Sequence, residues 1–455
     1  MITEIRNFRP KFHFTPPTMW MNDPNGLVYE NKTYHLFYQY NPFSNLWGPM
    51  HWGHAISFDL LKWQHLPLAL YPDELGTIFS GSAVYDSLNT SGFGDNGKYP
   101  IVTMFTHNGQ SQQQSIAYSI DGVNFFKYKE NPVIVNPGIK DFRDPKVFLN
   151  NVGKYWGMVV SCGDRVMFYS SPDLKKWEKS GEFGPNVNNA MGVWECPDFF
   201  PMKIGDIEVW ILLVSMVMPT DRGGSRIRYF IGRFDGNKFL CDKPGHEPLW
   251  LDEGFDNYAG VTYNNTVDRI LIGWENNWQY AKSAPTTEFR GVLTLPRKLS
   301  LIDTELSGLR LACLPVNLEN YISDVAPLAN GADISDESFW LTIKGCGTSE
   351  IILSNSEGQS LKFGVNKNNE LFVDRSHAGE TAFSTIFASS LYGKKSARRH
   401  FRGSYRLEAI FDVSTLELFT DEGTLSMSIV VFPSSAYSTV NISGDIKIEY
   451  KNINR

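Results

Sequence analysis

Three carboxylates stand out by their surroundings. Asp23 lies in Trp20-Met-Asn-Asp-Pro-Asn-Gly26, Asp144 in Phe142-Arg-Asp-Pro145, and Glu195 in Trp194-Glu-Cys-Pro197. Taken singly, an acid beside proline is ordinarily a turn or a cap. Three that meet in one cavity are different, because crowded like charges raise one another's pKa and divide into an ionised and a protonated group at neutral pH. One carboxylate as nucleophile and one carboxylic acid as proton donor is what glycoside hydrolysis requires. Indole rings at Trp20, Trp47, Trp52, Trp194, Trp274 and Trp278 suit the apolar faces of sugars, and Asn22, Gln39, Ser80 and Arg143 offer partners for hydroxyls.

Acids this far apart in the chain meet only if the elements that carry them converge. Short period-2 stretches such as Thr33–Tyr40 and Lys154–Ser161, aromatic or β-branched and bounded by Asn, Gly, Pro and Asp, read as strands. An aspartate followed four residues later by an aromatic recurs at Asp59/Trp63, Asp121/Phe125, Asp173/Trp177 and Asp235/Phe239. Each pair suits a turn between a third and an outer fourth strand. Units of about 50–60 residues built this way, with a fifth from about Phe255 to Leu301 lacking the marker, fit a five-bladed β-propeller. Its inner strands line a central channel; counting back from the markers puts Asp23, Phe79-Ser80, Asp144 and Glu195 on them, and the fifth unit would start near Asp256–Gly260 with Tyr258. The expected architecture is all-β: a propeller over residues 1–301, a connector over 302–335 and a β-sandwich over 336–455. The basic run Lys394–His400 reads as a solvated loop.

Composition sets the outer bounds. The 455 residues are 42% hydrophobic, 14% aromatic and 20% charged, with a formal net charge of −7. That argues against disorder, a membrane protein or a nucleic-acid partner but by itself identifies no ligand; a small-molecule sugar is expected from the acids and indoles instead. Five cysteines without C-x-x-C spacing and an N-terminus without an apolar signal core point to a cytoplasmic protein with reduced thiols. Sequons at Asn31, Asn89, Asn264 and Asn441 then read as chance matches. Homo-oligomerisation is left open.

The three acidic motifs resemble the signatures of the invertase/fructanase family, glycoside hydrolase family 32. The likeness continues through Gln39-Tyr-Asn-Pro42, Trp52-Gly-His54, Ser57-Phe-Asp-Leu60, Phe79-Ser-Gly-Ser82 and Ile272-Gly-Trp-Glu275, and into the last domain at Asp374-Arg-Ser376 and Leu416-Glu-Leu-Phe419. The resemblance implies a retaining exo-β-fructofuranosidase acting on sucrose, short fructo-oligosaccharides, inulin or levan. Asp23 would be nucleophile, Glu195 acid/base and Asp144 the transition-state stabiliser. Trp20, Asn22, Gln39, Trp47, Phe79, Ser80, Arg143, Tyr258 and Trp274 would bind substrate. No metal or cofactor is implied, and Cys196 would tune the acid beside it.

Two stretches bear on the substrate. Met218–Phe230 carries Arg222, Arg226 and Arg228, which would suit a phosphate; pairing with Asp221 and nearby acids is the simpler reading. Tyr258–Tyr263 with Trp274–Arg297 resembles levanases, exo-inulinases and yeast-type invertases more than sucrose-6-phosphate hydrolases. Fructosyl transfer, processing of a fructose dimer and sucrose 6-phosphate hydrolysis are alternatives within the same chemistry. An arabinan- or xylan-active relative, and a sugar-binding propeller without catalysis, are the readings from other classes.

Overall fold

The computed structural model describes residues 6–150, 155–184, 192–242 and 247–455. Five antiparallel blades stand around a channel, their inner strands being Met19–Glu30, Thr77–Tyr85, Phe142–Asn150, Trp194–Ile204 and Tyr258–Thr262. We number the blades I to V in that order. The four aspartate markers occupy the expected turns between third and fourth strands and share one chemistry. Oδ1 of Asp59 accepts from the N–H groups of Leu61 and Lys62, Asp121 from Val123 and Asn124, Asp173 from Lys175 and Lys176, and Asp235 from Asn237 and Lys238. These are Asx turns, a local device that needs no distant contact.

Blade V ends later than the marker-free sequence suggested. Its third strand runs Arg297–Thr304 and its fourth, Gly308–Pro315, lies wholly beyond residue 301. Thr304 Oγ1 does the work of the missing aspartate, accepting from Ser307 N and donating to Gly308 O. The connector also ends sooner than residue 335, because Ile322–Pro327 already pairs with Thr439–Ile453 of the sandwich. The stretch around the short helix Leu318–Tyr321 is the covalent connection between the two domains.

Asn264 closes the ring. Its amide donates to the carbonyls of Ala83 and Val147 while its backbone joins Leu27 and Tyr29, so one residue ties blade V to blades I, II and III. A sequon asparagine so engaged is structural rather than an acceptor for a glycan.

Two long strands, Ser338–Ser354 and Thr439–Ile453, build both sheets of the sandwich. They pair with each other along their length, with a register break between Gly345 and Ser349 where they turn from one sheet into the other. Before the break Ser338–Ser354 pairs with Ser404–Asp412, and after it with Ser360–Val365. The basic run is not a solvated loop: Lys394–Arg398 is an edge strand on Glu370–His377, and Arg399 is buried on Asp421 at 2.8 Å. Edge lysines also discourage pairing with another sheet.

Buried charges join the domains. Asp412 of the sandwich accepts from the N–H groups of Lys11 and Phe12, both at 2.8 Å, and from His13 Nδ1. Burial opposes a charge on His13, but hydrogen bonds to Asp412 and Glu417 outweigh it and raise its pKa to about 10. His13, Glu275 and Glu417 have metal-like spacing and lie among these residues, where the imidazolium itself is the cation. Arg375 of the sandwich contacts Asp256 of blade V at 2.6 Å and the Tyr280 hydroxyl at 2.9 Å. Removing one partner of such a pair strands the other charge in the core. Arg375→Met is expected to cost about 3–5 kcal/mol in a denaturant titration; a loss under 1 kcal/mol would mean the pair does not hold the joint.

Candidate active site

The inner strands deliver their side chains through one repeated irregularity. Asn22-Asp23-Pro24, Phe79-Ser80-Gly81, Arg143-Asp144-Pro145, Glu195-Cys196-Pro197 and Tyr258-Ala259-Gly260 occupy corresponding places in the five blades. Within each tripeptide the register with the second strand slips by one residue. Such bulges re-aim side chains, and at Pro145 and Pro197 they spare proline a place in the ladder. Asp144, Cys196 and Ala259 accordingly have positive φ, at 65°, 44° and 52°. Gly26 follows the first bulge at φ 56°, where a Cβ would lie 2.5 Å from the Phe37 ring. All three prolines lie inside inner strands, Pro145 and Pro197 within the bulges and Pro24 just after one, paired with Tyr38.

Read across the blades, the tripeptides form two tiers of interacting groups. In the outer tier Arg143 donates to Glu195 Oε1 through Nε at 3.2 Å and Nη2 at 2.9 Å, and the Tyr258 hydroxyl donates to Glu195 Oε2. Arg143 is held in turn by Asp141 at 2.8 Å and Gln112 at 3.2 Å. In the inner tier Ser80 Oγ donates to Asp23 Oδ2 at 2.7 Å, and Cys196 N–H to Asp144 Oδ2 at 2.9 Å. The Cys196 thiol lies 3.6 Å from Asp23 Oδ2 and 3.7 Å from Asp144 Oδ2. Burial pushes that thiol well above its ordinary pKa, with the three acids adding to the effect, so it serves as a protonated donor. Asp23 Oδ1 is buried and makes no hydrogen bond.

Burial is also the main reason the inner carboxylates are hard to ionise. It raises Asp23 to about 6 against the pull of the neighbouring Asn22 and Ser80 side chains, with the Glu195 charge adding to it. It raises Asp144 to about 7, opposed by Arg143 and reinforced by Glu195. The Glu195 side chain is 24% exposed, whereas Asp23 and Asp144 are buried.

These groups line a cavity of about 300 Å³ together with Asn22, Gln39, Trp47, Phe79, Val217, Trp278 and Lys282. Beneath the acids, among the described residues, the space narrows to a void of about 10 Å³ walled by Pro24, Pro145, Pro197 and Lys146. Lys146 is buried there on Thr262 O at 2.5 Å and Asp198 at 3.2 Å.

Of the substrate-binding residues expected from sequence, Asn22, Gln39, Trp47, Phe79, Ser80 and Arg143 line the cavity, and Tyr258 reaches it through Glu195. Trp20 and Trp274 do not; both are fully buried behind Trp278, with ring centroids 5.8 and 4.8 Å from it. The Trp20 indole N–H donates to Asn22 Oδ1 at 2.8 Å, which turns the ring into the wall and orients the amide beside Asp23. Trp52 and Trp194 are likewise fully buried, Trp52 donating to Phe79 O at 3.0 Å. Arg226 pairs with Glu253 at 2.5 Å, not Asp221, and stacks on Trp250, while Arg228 stacks on Phe230. Neither they nor Arg222 line the cavity. Val217 and Lys282 carried no sequence signal; the shared Pro/Gly column of the five tripeptides was the signal that aligns the tiers.

A propeller whose channel ends on three carboxylates, fused to a sandwich, has the architecture of a glycoside hydrolase. The chain matches the glycosyl hydrolases family 32 N-terminal domain over residues 13–311 and the family's C-terminal domain over 322–454. It belongs to glycoside hydrolase family 32. It is 40% identical to the levanase of Bacillus subtilis over 97% of this chain and 69% of that one. It is 36% identical to an extracellular exo-inulinase of Aspergillus ficuum, over 98% and 94% of the two chains. The crystal structure of exo-inulinase from Aspergillus awamori superposes with a TM-score of 0.90 at 32% identity, covering 99% of both chains.

The raised carboxylates have a thermodynamic consequence. Their folded pKa values, about 6 and 7, lie above the ordinary 3.8, so the native state holds protons the unfolded chain has lost. Stability from these groups is fully present below about pH 4 and is lost as pH rises through 6–7. Asp23→Asn and Asp144→Asn should therefore be more stable than wild type at pH 7.5, by on the order of 1–3 kcal/mol, with the gain vanishing near pH 4. Melting curves at both pH values check this; a gain equal at both would point to a cause other than ionisation.

Proposed function

We propose that the protein is an exo-acting β-fructofuranosidase that removes terminal fructosyl units by double displacement with retention. The observation that carries the reading is Asp23 Oδ1, a carboxylate oxygen without a hydrogen bond, buried in a cavity that closes just beneath it. Its partner oxygen is held by Ser80 and Cys196, so the unengaged one is free to attack the anomeric carbon. Glu195, the most open of the three acids, gives a proton to the departing oxygen and later takes one from the incoming water. Microscopic reversibility asks one residue to serve both steps. Arg143 and Tyr258 fix its carboxyl between them. Asp144, anchored by the Cys196 N–H, binds ring hydroxyls and faces the positive charge that develops as the bond breaks.

A cavity of about 300 Å³ is at the small end of ligand sites, which run from roughly 300 to 1,000 Å³. Closed below, it suits one terminal sugar and part of the next, which favours attack from a chain end. Sucrose and short fructo-oligosaccharides are the substrates we assign, in keeping with relatives named levanase, exo-inulinase and invertase. We place the enzyme in the cytoplasm, to which the undisulfided thiols of Cys162, Cys196, Cys313 and Cys346 are suited.

Asp23→Asn and Glu195→Gln should each lower kcat on sucrose by about 10²–10⁴-fold or more while melting as folded proteins. Proton NMR of the first turnover should show β-fructofuranose before mutarotation; α-anomer first would contradict retention. The nucleophile must be ionised, so kcat/KM should fall tenfold per pH unit below about pH 6, the pKa of Asp23. An acid limb that stays near pH 4 would contradict that assignment.

A further inference from the structure

The mouth of the cavity holds a cation with no task in the chemistry below. Lys282 lines the cavity with its side chain exposed. Its Nζ stands 5.8 Å from the centroid of Trp47 and 5.9 Å from that of Trp278. Arg143, the other cation lining the cavity, is committed to Glu195 and Asp141. The place of Lys282 is also built. Arg290 donates to Lys282 O at 2.6 Å, to Ala284 O at 2.8 Å and to Asn45 O at 3.1 Å. One guanidinium thus pins the Lys282 turn to the segment that carries Trp47. On the other side, Ser225 Oγ accepts from Trp278 N–H at 2.9 Å.

An exposed ammonium is held only weakly by an indole face, so ligand oxygens can draw it away from the rings at little cost. The ammonium has three donors and no acceptor, which fits it to hydroxyl, ether and phosphate oxygens alike. We infer that Lys282, between Trp47 and Trp278, forms the subsite for the leaving unit of the substrate and selects leaving units rich in oxygen. This rests on the fructosidase reading, which seats the fructosyl unit on the acids and leaves the next unit at the mouth. A pyranose there packs on the indoles and takes one or two charge-assisted hydrogen bonds from the lysine. A phosphate ester on that unit engages the same donor more strongly.

The test compares substrates that differ only in what leaves: sucrose, sucrose phosphorylated on its glucose ring, and methyl β-fructofuranoside, whose leaving group is too small to reach the mouth. In Lys282→Met and Lys282→Gln, kcat/KM for sucrose relative to the methyl fructoside should fall about tenfold, with the phosphorylated sugar falling at least as far. Lys282→Arg should restore most of the ratio. A ratio unchanged in both variants, or an equal loss on sucrose and the methyl fructoside, overturns the inference. A wild-type protein inert on all three substrates would overturn the fructosidase reading instead, so the two failures are distinct.

Discussion

The site depends on a slip of one residue in the pairing of each inner strand. In a regular ladder, successive side chains point to opposite faces of a blade and few face the channel axis. The bulges at Asn22–Asp23, Phe79–Ser80, Asp144–Pro145, Cys196–Pro197 and Ala259–Gly260 re-aim the side chains beside them toward the channel. Positive φ at Asp144 and Cys196 puts ordinary residues where glycine is at home, a strain of about 1–3 kcal/mol each that the surrounding blades must offset. The return is two layers of complementary groups, one centred on Glu195 and one on Asp23 and Asp144. Both carboxylates of the inner layer are harder to ionise than in water. The architecture therefore gives up stability at neutral pH to place them there.

The sandwich belongs to this arrangement although it lines none of the cavity. Arg375 binds Asp256, two residues before Tyr258, and so anchors the strand that presents a hydroxyl to Glu195. Tyr392 donates to Thr220 O, and Thr220 Oγ1 donates to Gln279 beside Trp278. Asn277 holds the same turn, its amide donating to Gly223 O and Phe255 O. The aromatic wall is thus set by contacts that begin in the second domain.

Features written in local chemistry were legible in the sequence. The Asx turns at Asp59, Asp121, Asp173 and Asp235 need only their own neighbours, so the blades could be counted and the inner strands located. Blade V was cut short because Thr304 replaces the aspartate at its turn. Residues whose role depends on packing were harder to read. Trp20 and Trp274 look like sugar platforms until Trp278 is seen in front of them. Lys394–Arg398 reads as a charged loop until a sheet edge is available to pair with it. Lys282 has no signature, since its meaning comes from two indoles that lie far apart or only turn-adjacent in the chain.

The central claim is that the bulged Asp23 is the group that attacks. Glu195→Gln mixed with a fructoside bearing an activated leaving group needs no acid for the first step but lacks the base for the second. Peptide mapping of the quenched protein should find a fructosyl ester on the peptide containing Asp23, absent when Asp23→Asn is added. An adduct on Asp144, or rapid turnover with inversion and no adduct, would contradict the account.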